Sequence, residues 1–422
     1  MRDLIVKKLI QSEIKRQNET LGMIPSENFT SLDVMEAVGS PLTNKYSEGY
    51  PGKRYYPGNE FCDAIENLAI ERGLKVFGLN PDEWGLNVQP HSGSPANIEI
   101  YSALMEPGDT IMGMKLAAGG HLTHGHKISI TGRVWNSVQY GVDENGLIDF
   151  HEVLRLAEEH RPKVIVSGFS AYPRLVDWKR FNEIAKLVGA YHVVDMSHTA
   201  GLIAGKAHPS PFPHADVVMT TTHKTMRGPR GAVIFARKNK SVTKTVNGKE
   251  TTNTLAELID KSVFPGAQGG PHNNVTAGIA VMFNEALTPG FNKYAEQTVK
   301  NARALADALT NLGFKLVSGG TDSHLLLADV RPLGVDGMTA QNRLEQAGII
   351  ANRNSIPGDT SPFKPSGVRF GTPSLTSRGM KEKEMKAVAQ FIYEAIKGEK
   401  GVRAKVLKLC KKFPATKFLK RS

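Results

Sequence analysis

The sequence contains few cysteines and no long hydrophobic stretch. Cys62 and Cys410 are its two cysteines. They lie far apart and match no metal-ligand spacing, and so low a cysteine content is typical of reducing compartments. No uninterrupted apolar run reaches the roughly 18 residues that a membrane-spanning helix needs, and the N-terminus lacks the pattern of a signal peptide. We therefore expect a cytoplasmic protein without a bound metal.

Internal repeats and low-complexity segments are also missing. With 422 residues, 40% of them hydrophobic, the chain is too long for one typical domain. From about residue 30 to 280, apolar strand-like runs alternate with amphipathic segments, which predicts a mostly parallel sheet covered by helices on both faces. We expect an α/β fold with an N-terminal arm at 1–25, a large domain at 26–285 and a smaller α/β domain at 286–422.

Acidic residues are missing from the C-terminal end. The protein has a net charge of +12, and residues 401–422 contain eight lysines and arginines but no aspartate or glutamate. A contact with nucleic acid or an anionic surface is one interpretation of such a tail. We favour a solvated basic terminus that increases solubility, because only Phe413 and Phe418 supply aromatic rings among these charges.

Lys224 stands out as a candidate nucleophile. It follows the apolar run at 215–219 within the segment Thr-Thr-Thr-His-Lys-Thr, and Arg227 and Arg230 come soon after it. Burial and neighbouring positive charge both disfavour the ammonium form of a lysine, and a neutral amine attacks carbonyl carbons. We interpret Lys224 as a candidate Schiff-base lysine, the alternative being a solvated surface turn.

Asp195 ends a second apolar run, at 190–194. In an open α/β sheet, ligands bind at the carboxyl ends of the strands, so Asp195 and Lys224 would face one crevice. An aspartate that pairs with a pyridinium nitrogen, together with a Schiff-base lysine, is typical of pyridoxal phosphate enzymes. Asp195 alone would equally suit a helix N-cap, and its combination with Lys224 and His198 favours the cofactor.

A candidate phosphate site lies at Ser92, Gly93 and Ser94, directly before a helix-like run with Pro95 in its first turn. Free backbone N–H groups and hydroxyls at a helix N-terminus favour phosphate binding. The same residue types also occur in ordinary turns. The segment therefore supports a pyridoxal phosphate site only together with Asp195 and Lys224.

Five segments of the chain share long motifs with one known family. They lie at 26–28, 43–56, 119–125, 220–231 and 367–373. Through them the chain resembles the serine hydroxymethyltransferases, which are fold-type-I pyridoxal phosphate enzymes, from about residue 20 to the C-terminus. The resemblance implies a large domain with a mostly parallel central sheet and a smaller C-terminal α/β domain.

The resemblance implies a role for each matching residue around the cofactor. Lys224 would carry pyridoxal 5'-phosphate, Asp195 would pair with its ring nitrogen, and His121 would stack on the ring. His198 and Ser170 would lie near its phenolic oxygen. The remaining cofactor-binding positions are Ser92, Gly93, Ser94, Thr221, His223, Gly269 and Gly270.

The resemblance also implies the substrate-binding residues. Arg369 would bind the substrate carboxylate, for which a planar guanidinium fork is well suited. Glu48 would be the acid–base residue at the hydroxymethyl group. The implied substrate set is Ser26, Tyr46, Glu48, Tyr56, Arg230 and Arg369. The implied catalytic set is Lys224, Glu48, Asp195, His198, Tyr46, Tyr56 and His121. The implied folate-binding set is Leu116, Gly120, Leu122 and Asn354.

The resemblance further implies a homodimer, with a tetramer as an alternative, whose active sites lie at the subunit interface. Tyr46, Glu48, Tyr55 and Tyr56 match residues that each subunit donates to its partner's site. The loop at 268–271 matches one that reaches the phosphate from the neighbouring subunit. We expect small-molecule substrates, no membrane partner and no nucleic acid.

The implied activity is the reversible transfer of the hydroxymethyl group of L-serine to tetrahydrofolate or a related reduced pterin. Its products are glycine and 5,10-methylenetetrahydrofolate. Two departures from the family pattern affect the shape of the pocket and hence the choice of pterin: Pro57-Gly58-Asn59-Glu60 follows the double tyrosine, and Arg227 occupies a usually small position. The alternatives are a pterin-independent β-hydroxy amino acid aldolase and a nucleic-acid-binding protein on an inactive enzyme fold.

Overall fold

A computed structural model of the chain describes residues 2–246, 249–359, 361 and 364–419. Its strands are β1 (Leu21–Gly22), β2 (Gly49–Tyr50), β3 (Lys53–Arg54), β4 (Trp84–Asn87), β5 (Thr110–Met114), β6 (Asn136–Tyr140), β7 (Val164–Ser167), β8 (Tyr191–Asp195), β9 (Val217–Thr221), β10 (Ala232–Arg237), β11 (Ser241–Val246), β12 (Lys249–Thr254), β13 (Lys315–Leu316), β14 (Leu325–Asp329), β15 (Ile349–Ile350), β16 (Asn352–Asn354) and β17 (Gly367–Gly371).

Helices connect most of these strands. The α-helices are α1 (Leu4–Glu19), α2 (Leu32–Val38), α3 (Glu60–Phe77), α4 (Gly93–Leu104), α5 (Thr131–Val134), α6 (Phe150–His160), α7 (Trp178–Val188), α8 (Ala200–Ala204), α9 (Leu255–Lys261), α10 (Asn273–Ala286), α11 (Pro289–Asn311), α12 (Gly337–Gln346), α13 (Pro373–Ser377), α14 (Glu382–Lys397) and α15 (Val402–Lys412). A π-helical segment, Ser262–Ala267, follows α9.

The largest sheet has seven strands in the order β4-β10-β9-β8-β7-β5-β6. The five strands from β9 to β6 are parallel, and β10 runs antiparallel to both of its neighbours. The strands are near-continuous apolar runs because both faces of the sheet are covered. This arrangement confirms the predicted α/β fold with a mostly parallel sheet.

Side chains of the sheet alternate between two hydrophobic cores. Val194 and Val218 point into one core, which helices α3, α6, α7 and α10 complete, whereas Val193 and Val217 point into the other, which α4 and α9 complete. The alternation follows from the two-residue period of a strand. The sheet is therefore enclosed, and its polar groups meet solvent and ligands at the carboxyl ends of the strands.

A second sheet of four strands has the order β13-β14-β17-β16, with all pairs antiparallel. It packs on a third core to which α11, α12, α14 and α15 contribute. The N-terminal segment belongs to this part of the molecule, because β1 pairs in parallel with β15 and Leu21 is fully buried in the third core. Helix α11 supplies residues to both the first and the third core, so the domain boundary at residue 285 stays a prediction.

Candidate active site

Lys224 lies in the turn between β9 and β10, three residues beyond the end of β9. Its backbone carbonyl accepts a hydrogen bond from Asn28 Nδ2 at 3.1 Å. Burial lowers the pKa of the Lys224 amine from 10.5 to about 8; Asp195 opposes this effect, and the positive charges of Arg369 and Arg230 add to it. A substantial fraction of the amine is therefore neutral near pH 8 and competent as a nucleophile.

Asp195 ends β8, the parallel neighbour of β9. Its carboxylate accepts hydrogen bonds from Asn97 Nδ2 at 3.1 Å and from the Ser197 backbone N–H at 3.0 Å, and it lies 3.2 Å from His124 Nε2. Burial alone would raise the pKa of Asp195, but the hydrogen bond with His124 and the positive charge of Lys224 outweigh it and hold the pKa below its usual value. The carboxylate stays ionised inside the protein.

Gly168 allows the chain after β7 to pass close to the backbone of Asp195 at the end of β8. Gly168 follows β7 with φ of +99°, and a Cβ at this position would lie 1.9 Å from the Asp195 carbonyl oxygen. A side chain here would push Asp195 out of place, and the positive φ is itself strained for any residue other than glycine. The backbone thus fixes the position of the carboxylate.

A cavity of about 320 Å³ separates Asp195 and Lys224 from the start of α4. Three buried polar atoms of its lining residues have no hydrogen-bond partner within the described part of the chain, Asn97 Oδ1, Thr221 Oγ1 and His223 Nδ1. The other lining residues predicted to bind the cofactor are Ser92, Gly93, Ser94, His121, Ser170 and His198. A pyridine ring with a phosphate and an aldehyde suits these groups, which are an ionised carboxylate, a helix N-terminus with hydroxyls, and an amine.

A second cavity, of about 720 Å³, adjoins the first. The two share Ser26, His121, Ser170, His198 and Lys224. The second cavity is also lined by Arg369 and by the four predicted folate-binding residues, Leu116, Gly120, Leu122 and Asn354. The four predicted folate residues therefore line a cavity that Lys224 also lines.

Arg369 lies on β17, an inner strand of the four-stranded sheet, and lines the second cavity. Its Nη1 donates to the Ser170 carbonyl at 2.6 Å and its Nε donates to Asn352 Oδ1 at 3.2 Å. Burial lowers its pKa to about 10, which leaves the guanidinium charged at neutral pH. The two hydrogen bonds fix the position of the guanidinium, and its charge can bind an anionic group in the second cavity.

The two histidines of the predicted catalytic set, His121 and His198, are neutral. Burial lowers the pKa of His121 to about 4, and burial together with the charge of Lys224 lowers the pKa of His198 well below its usual value. His121 Nδ1 lies 2.8 Å from Thr123 Oγ1, which orients the ring. An uncharged imidazole suits stacking on an aromatic cofactor.

Five predicted site residues do not line either cavity: Tyr46, Glu48, Tyr56, Gly269 and Gly270. They form a separate group, here called the tyrosine cluster. Tyr46 OH donates to Glu48 Oε1 at 3.2 Å, and the rings of Tyr46 and Tyr56 meet edge-on at 5.4 Å. The backbone of Gly269 and Gly270 lies against Tyr46 and Glu48. Tyr46 is 56% and Tyr56 46% exposed, so the cluster is a surface feature of the single chain.

Sequence reasoning gave no role to several residues that contact the site. Asn97 and His124 form hydrogen bonds with Asp195, and Asn352 accepts one from Arg369. His324 Nε2 lies 3.3 Å from His198 Nδ1. Asn97 and His124 stand inside segments with recognisable motifs, and their spacing from Gly93 and His121 is a usable signal. His324 has no such signal, because it comes from a different part of the chain.

An aspartate and a lysine at the carboxyl ends of adjacent parallel strands, opposite a helix N-terminus with serine hydroxyls, define a fold-type-I pyridoxal phosphate enzyme. The chain matches the serine hydroxymethyltransferase family model over residues 1–392. It belongs to the serine hydroxymethyltransferase family, whose members depend on pyridoxal phosphate and use tetrahydrofolate as co-substrate.

Named relatives agree with this assignment. A serine hydroxymethyltransferase of Francisella tularensis is 49% identical over 97% of this chain and 95% of its own length. Serine hydroxymethyltransferase 1 of Pseudomonas fluorescens is 51% identical over 96% of this chain and 95% of its own. A cytosolic serine hydroxymethyltransferase of Aspergillus fumigatus is 51% identical over 94% of this chain and 86% of its own.

Proposed function

We infer that this protein catalyses the reversible transfer of the hydroxymethyl group of L-serine to tetrahydrofolate, giving glycine and 5,10-methylenetetrahydrofolate. The observation that carries this inference is the pair of adjoining cavities, which share Lys224 and His121 within a chain of the serine hydroxymethyltransferase family. The smaller cavity suits the cofactor, and the larger one suits a reduced pterin beside it. The relatives' names do not favour the aldolase alternative.

Pyridoxal phosphate, when bound, supplies an electron sink for the charge that develops at the α-carbon of the amino acid. Lys224 would hold it covalently, and Asp195 would keep a proton on its ring nitrogen, because an ionised carboxylate stabilises a cationic partner. Ser92, Ser94 and the first N–H groups of α4 would bind its phosphate. His121 would stack on its ring.

Arg369 and Ser26 bind the carboxylate of the amino acid, and Arg230 adds positive charge at the mouth of the smaller cavity. Arg369, Arg230 and Ser26 each line a cavity that Lys224 also lines. Holding the carboxylate fixes the rotation of the amino acid, so that the bond to be broken is correctly oriented. Leu116, Gly120, Leu122 and Asn354 line the pterin-binding part of the larger cavity.

We further propose that the active unit is a homodimer. The tyrosine cluster lies outside both cavities of its own chain, yet it holds a carboxylate, two phenols and a glycine-rich loop whose chemistry suits the site. A second subunit would place the cluster at its partner's cavity, with Glu48 handling protons at the hydroxymethyl group.

The cytosolic name of the Aspergillus relative supports a cytoplasmic location for this protein.

Substitution of Glu48 by glutamine tests this function. The variant keeps the shape of the side chain and removes its titratable proton, so pterin-dependent formation of glycine from serine should fall by about 100-fold or more. Pterin-independent cleavage of allo-threonine should fall far less. Both rates are measured on purified protein with added pyridoxal phosphate. Glu158→Gln, which changes an exposed glutamate of α6, is the matched control and should retain both activities.

The same assay can reject the proposal. If the unaltered protein cleaves allo-threonine rapidly while its cleavage of serine is indifferent to every reduced pterin tried, the protein is an aldolase.

A further inference from the structure

His324 is a neighbour of His198 in the folded chain, although it comes from a distant part of the sequence. His198 Nδ1 and His324 Nε2 are 3.3 Å apart. His198 lines both cavities that contain Lys224, whereas His324 lines neither and is fully buried. The Thr372 backbone N–H donates to the His324 carbonyl at 3.0 Å, which fixes the turn before β14. His324 is thus a rigid neighbour of a ligand-facing imidazole.

Both rings are uncharged near neutral pH. Burial, with a contribution from Arg369, lowers the pKa of His324 to about 3, and burial with the charge of Lys224 lowers the pKa of His198. A neutral imidazole has one N–H donor and one acceptor nitrogen. Two arrangements of the pair are therefore possible, with the proton between the rings on His324 or on His198.

The remaining nitrogen of His324 decides between them. His324 Nδ1 is buried and has no hydrogen-bond partner within the described residues. If His198 donated to His324 Nε2, the proton of His324 would sit on Nδ1 as a buried, unpaired N–H. Orphaned buried N–H groups are rarer and more costly than acceptor atoms that lack a donor. The favourable arrangement has the proton of His324 on Nε2, donated to His198 Nδ1.

We propose that His324 is a positioning residue that holds His198 in the Nε2–H tautomer, so that His198 presents an N–H donor to the ligand cavities. The hydrogen bond made by one ring nitrogen sets the proton on the other. A fixed donor here recognises an anionic oxygen, which is either the phenolate of the cofactor or the carboxylate of the amino acid. The identity of these ligands rests on the proposed function. The assignment of the His198 tautomer does not, because it depends only on the contact between the two rings.

Neutron diffraction from deuterium-exchanged crystals of the protein with bound pyridoxal phosphate tests the tautomer directly. We expect deuterium on Nε2 of both His198 and His324, and none on His324 Nδ1. Deuterium on His198 Nδ1 would overturn the proposal. The measurement uses the unaltered protein and needs no turnover, so it remains valid if the protein fails to convert serine and tetrahydrofolate, a failure that would refute the proposed function alone.

Three variants test the consequence for binding. His324→Phe removes the donor and releases the tautomer, which should weaken binding of the anionic ligand by roughly 10- to 100-fold. His324→Gln places an amide N–H near the position of Nε2 and should restore binding to within about threefold of the unaltered protein. The control His208→Phe removes another buried imidazole, whose Nδ1 lies 3.4 Å from the Pro209 carbonyl, and should bind normally.

Two titrations separate the possible ligands. A weaker affinity of His324→Phe for pyridoxal phosphate alone identifies the phenolate, and a weaker affinity for glycine at saturating cofactor identifies the carboxylate. Normal affinity in both titrations would overturn the proposal, as would a His324→Gln variant that binds as poorly as His324→Phe. If His324→Phe does not fold, the neutron structure and the His324→Gln titrations carry the test.

Discussion

At the scale of single residues, the site depends on an unequal distribution of protons. Asp195 remains ionised although it is buried, because His124, Asn97 and the Ser197 backbone all bind its carboxylate. Lys224, which faces the same cavity, has a pKa lowered to about 8 mainly by burial. The cavity thus contains an ionised carboxylate, which stabilises a cation, and an amine that readily loses its proton. Burial disfavours the charged form of both groups, and only the carboxylate has enough partners to stay ionised.

The lowered pKa of Lys224 predicts how the apoprotein takes up pyridoxal phosphate. The neutral amine reacts, so the rate constant of covalent uptake should rise about tenfold per pH unit below pH 8 and level off above it. Stopped-flow absorbance of the apoprotein mixed with the cofactor, from pH 6 to 10, measures this profile. Lys224→Ala should show no covalent uptake at any pH. A rate that still rises tenfold per unit between pH 9 and 10 would contradict the lowered pKa.

At the scale of secondary-structure elements, the hairpin of β2 and β3 lies between three members of the tyrosine cluster, with Tyr46 and Glu48 before it and Tyr56 after it. Arg54 of β3 donates to the carbonyls of Ser47 and Gly49, on either side of Glu48, and forms ion pairs with Asp63 and Glu66 of α3 at 2.8 and 2.5 Å. The side chains of Arg54 and Glu66 are each only 4% exposed. One guanidinium therefore fixes the backbone around the proposed acid–base residue and attaches it to α3.

Arg54→Met should lower both stability and turnover. Removing one partner of a buried ion pair leaves the other charge uncompensated, at a cost of about 3–5 kcal/mol in the free energy of unfolding. Chemical unfolding measures the loss of stability, and the serine assay measures the effect of a displaced Glu48. Arg155→Met is the control, because its pair with Glu159 is exposed and should contribute below about 1 kcal/mol. Equal stability of the two variants would show that Arg54 has no structural role.

At the scale of the whole molecule, the predicted site residues of one chain lie in two separate places. The two adjoining cavities contain the proposed cofactor and carboxylate ligands, whereas Glu48 and its neighbouring tyrosines lie on the surface in the tyrosine cluster. Tyrosine is enriched in protein interfaces, so exposed tyrosine rings grouped around a carboxylate favour a surface that meets a partner. A twofold dimer would complete two sites at once, each from both subunits.

Mixed dimers provide the test of shared sites. Lys224→Ala and Glu48→Gln should each be nearly inactive alone. In a hybrid dimer, one of the two sites combines an intact Lys224 with an intact Glu48, so randomly mixed subunits should recover up to about a quarter of normal serine turnover, and isolated hybrids up to about a half. The hybrids are isolated with two different affinity tags and assayed with tetrahydrofolate. Inactive hybrids of confirmed composition would show that each site is built within one chain.

The sequence by itself determined the class of fold and the central pair of the site. Apolar runs without alternation predicted strands buried on both faces, and polar residues at their ends predicted ligand contacts, because both signals are local and depend only on strand geometry. Lys224 and Asp195 were found in this way. The resemblance then located Arg369, His121 and His198, which do lie at the adjoining cavities.

Only the tertiary structure decided which residues support these groups. His324 is 126 residues from His198 in sequence, and Asn97 is 98 residues from Asp195. Contacts at such separations depend on the order of strands in the sheets and on how α11 and β17 pack beside them, which no local period encodes. The same reason explains the tyrosine cluster, whose distance from the cavities of its own chain follows from the path of the folded backbone.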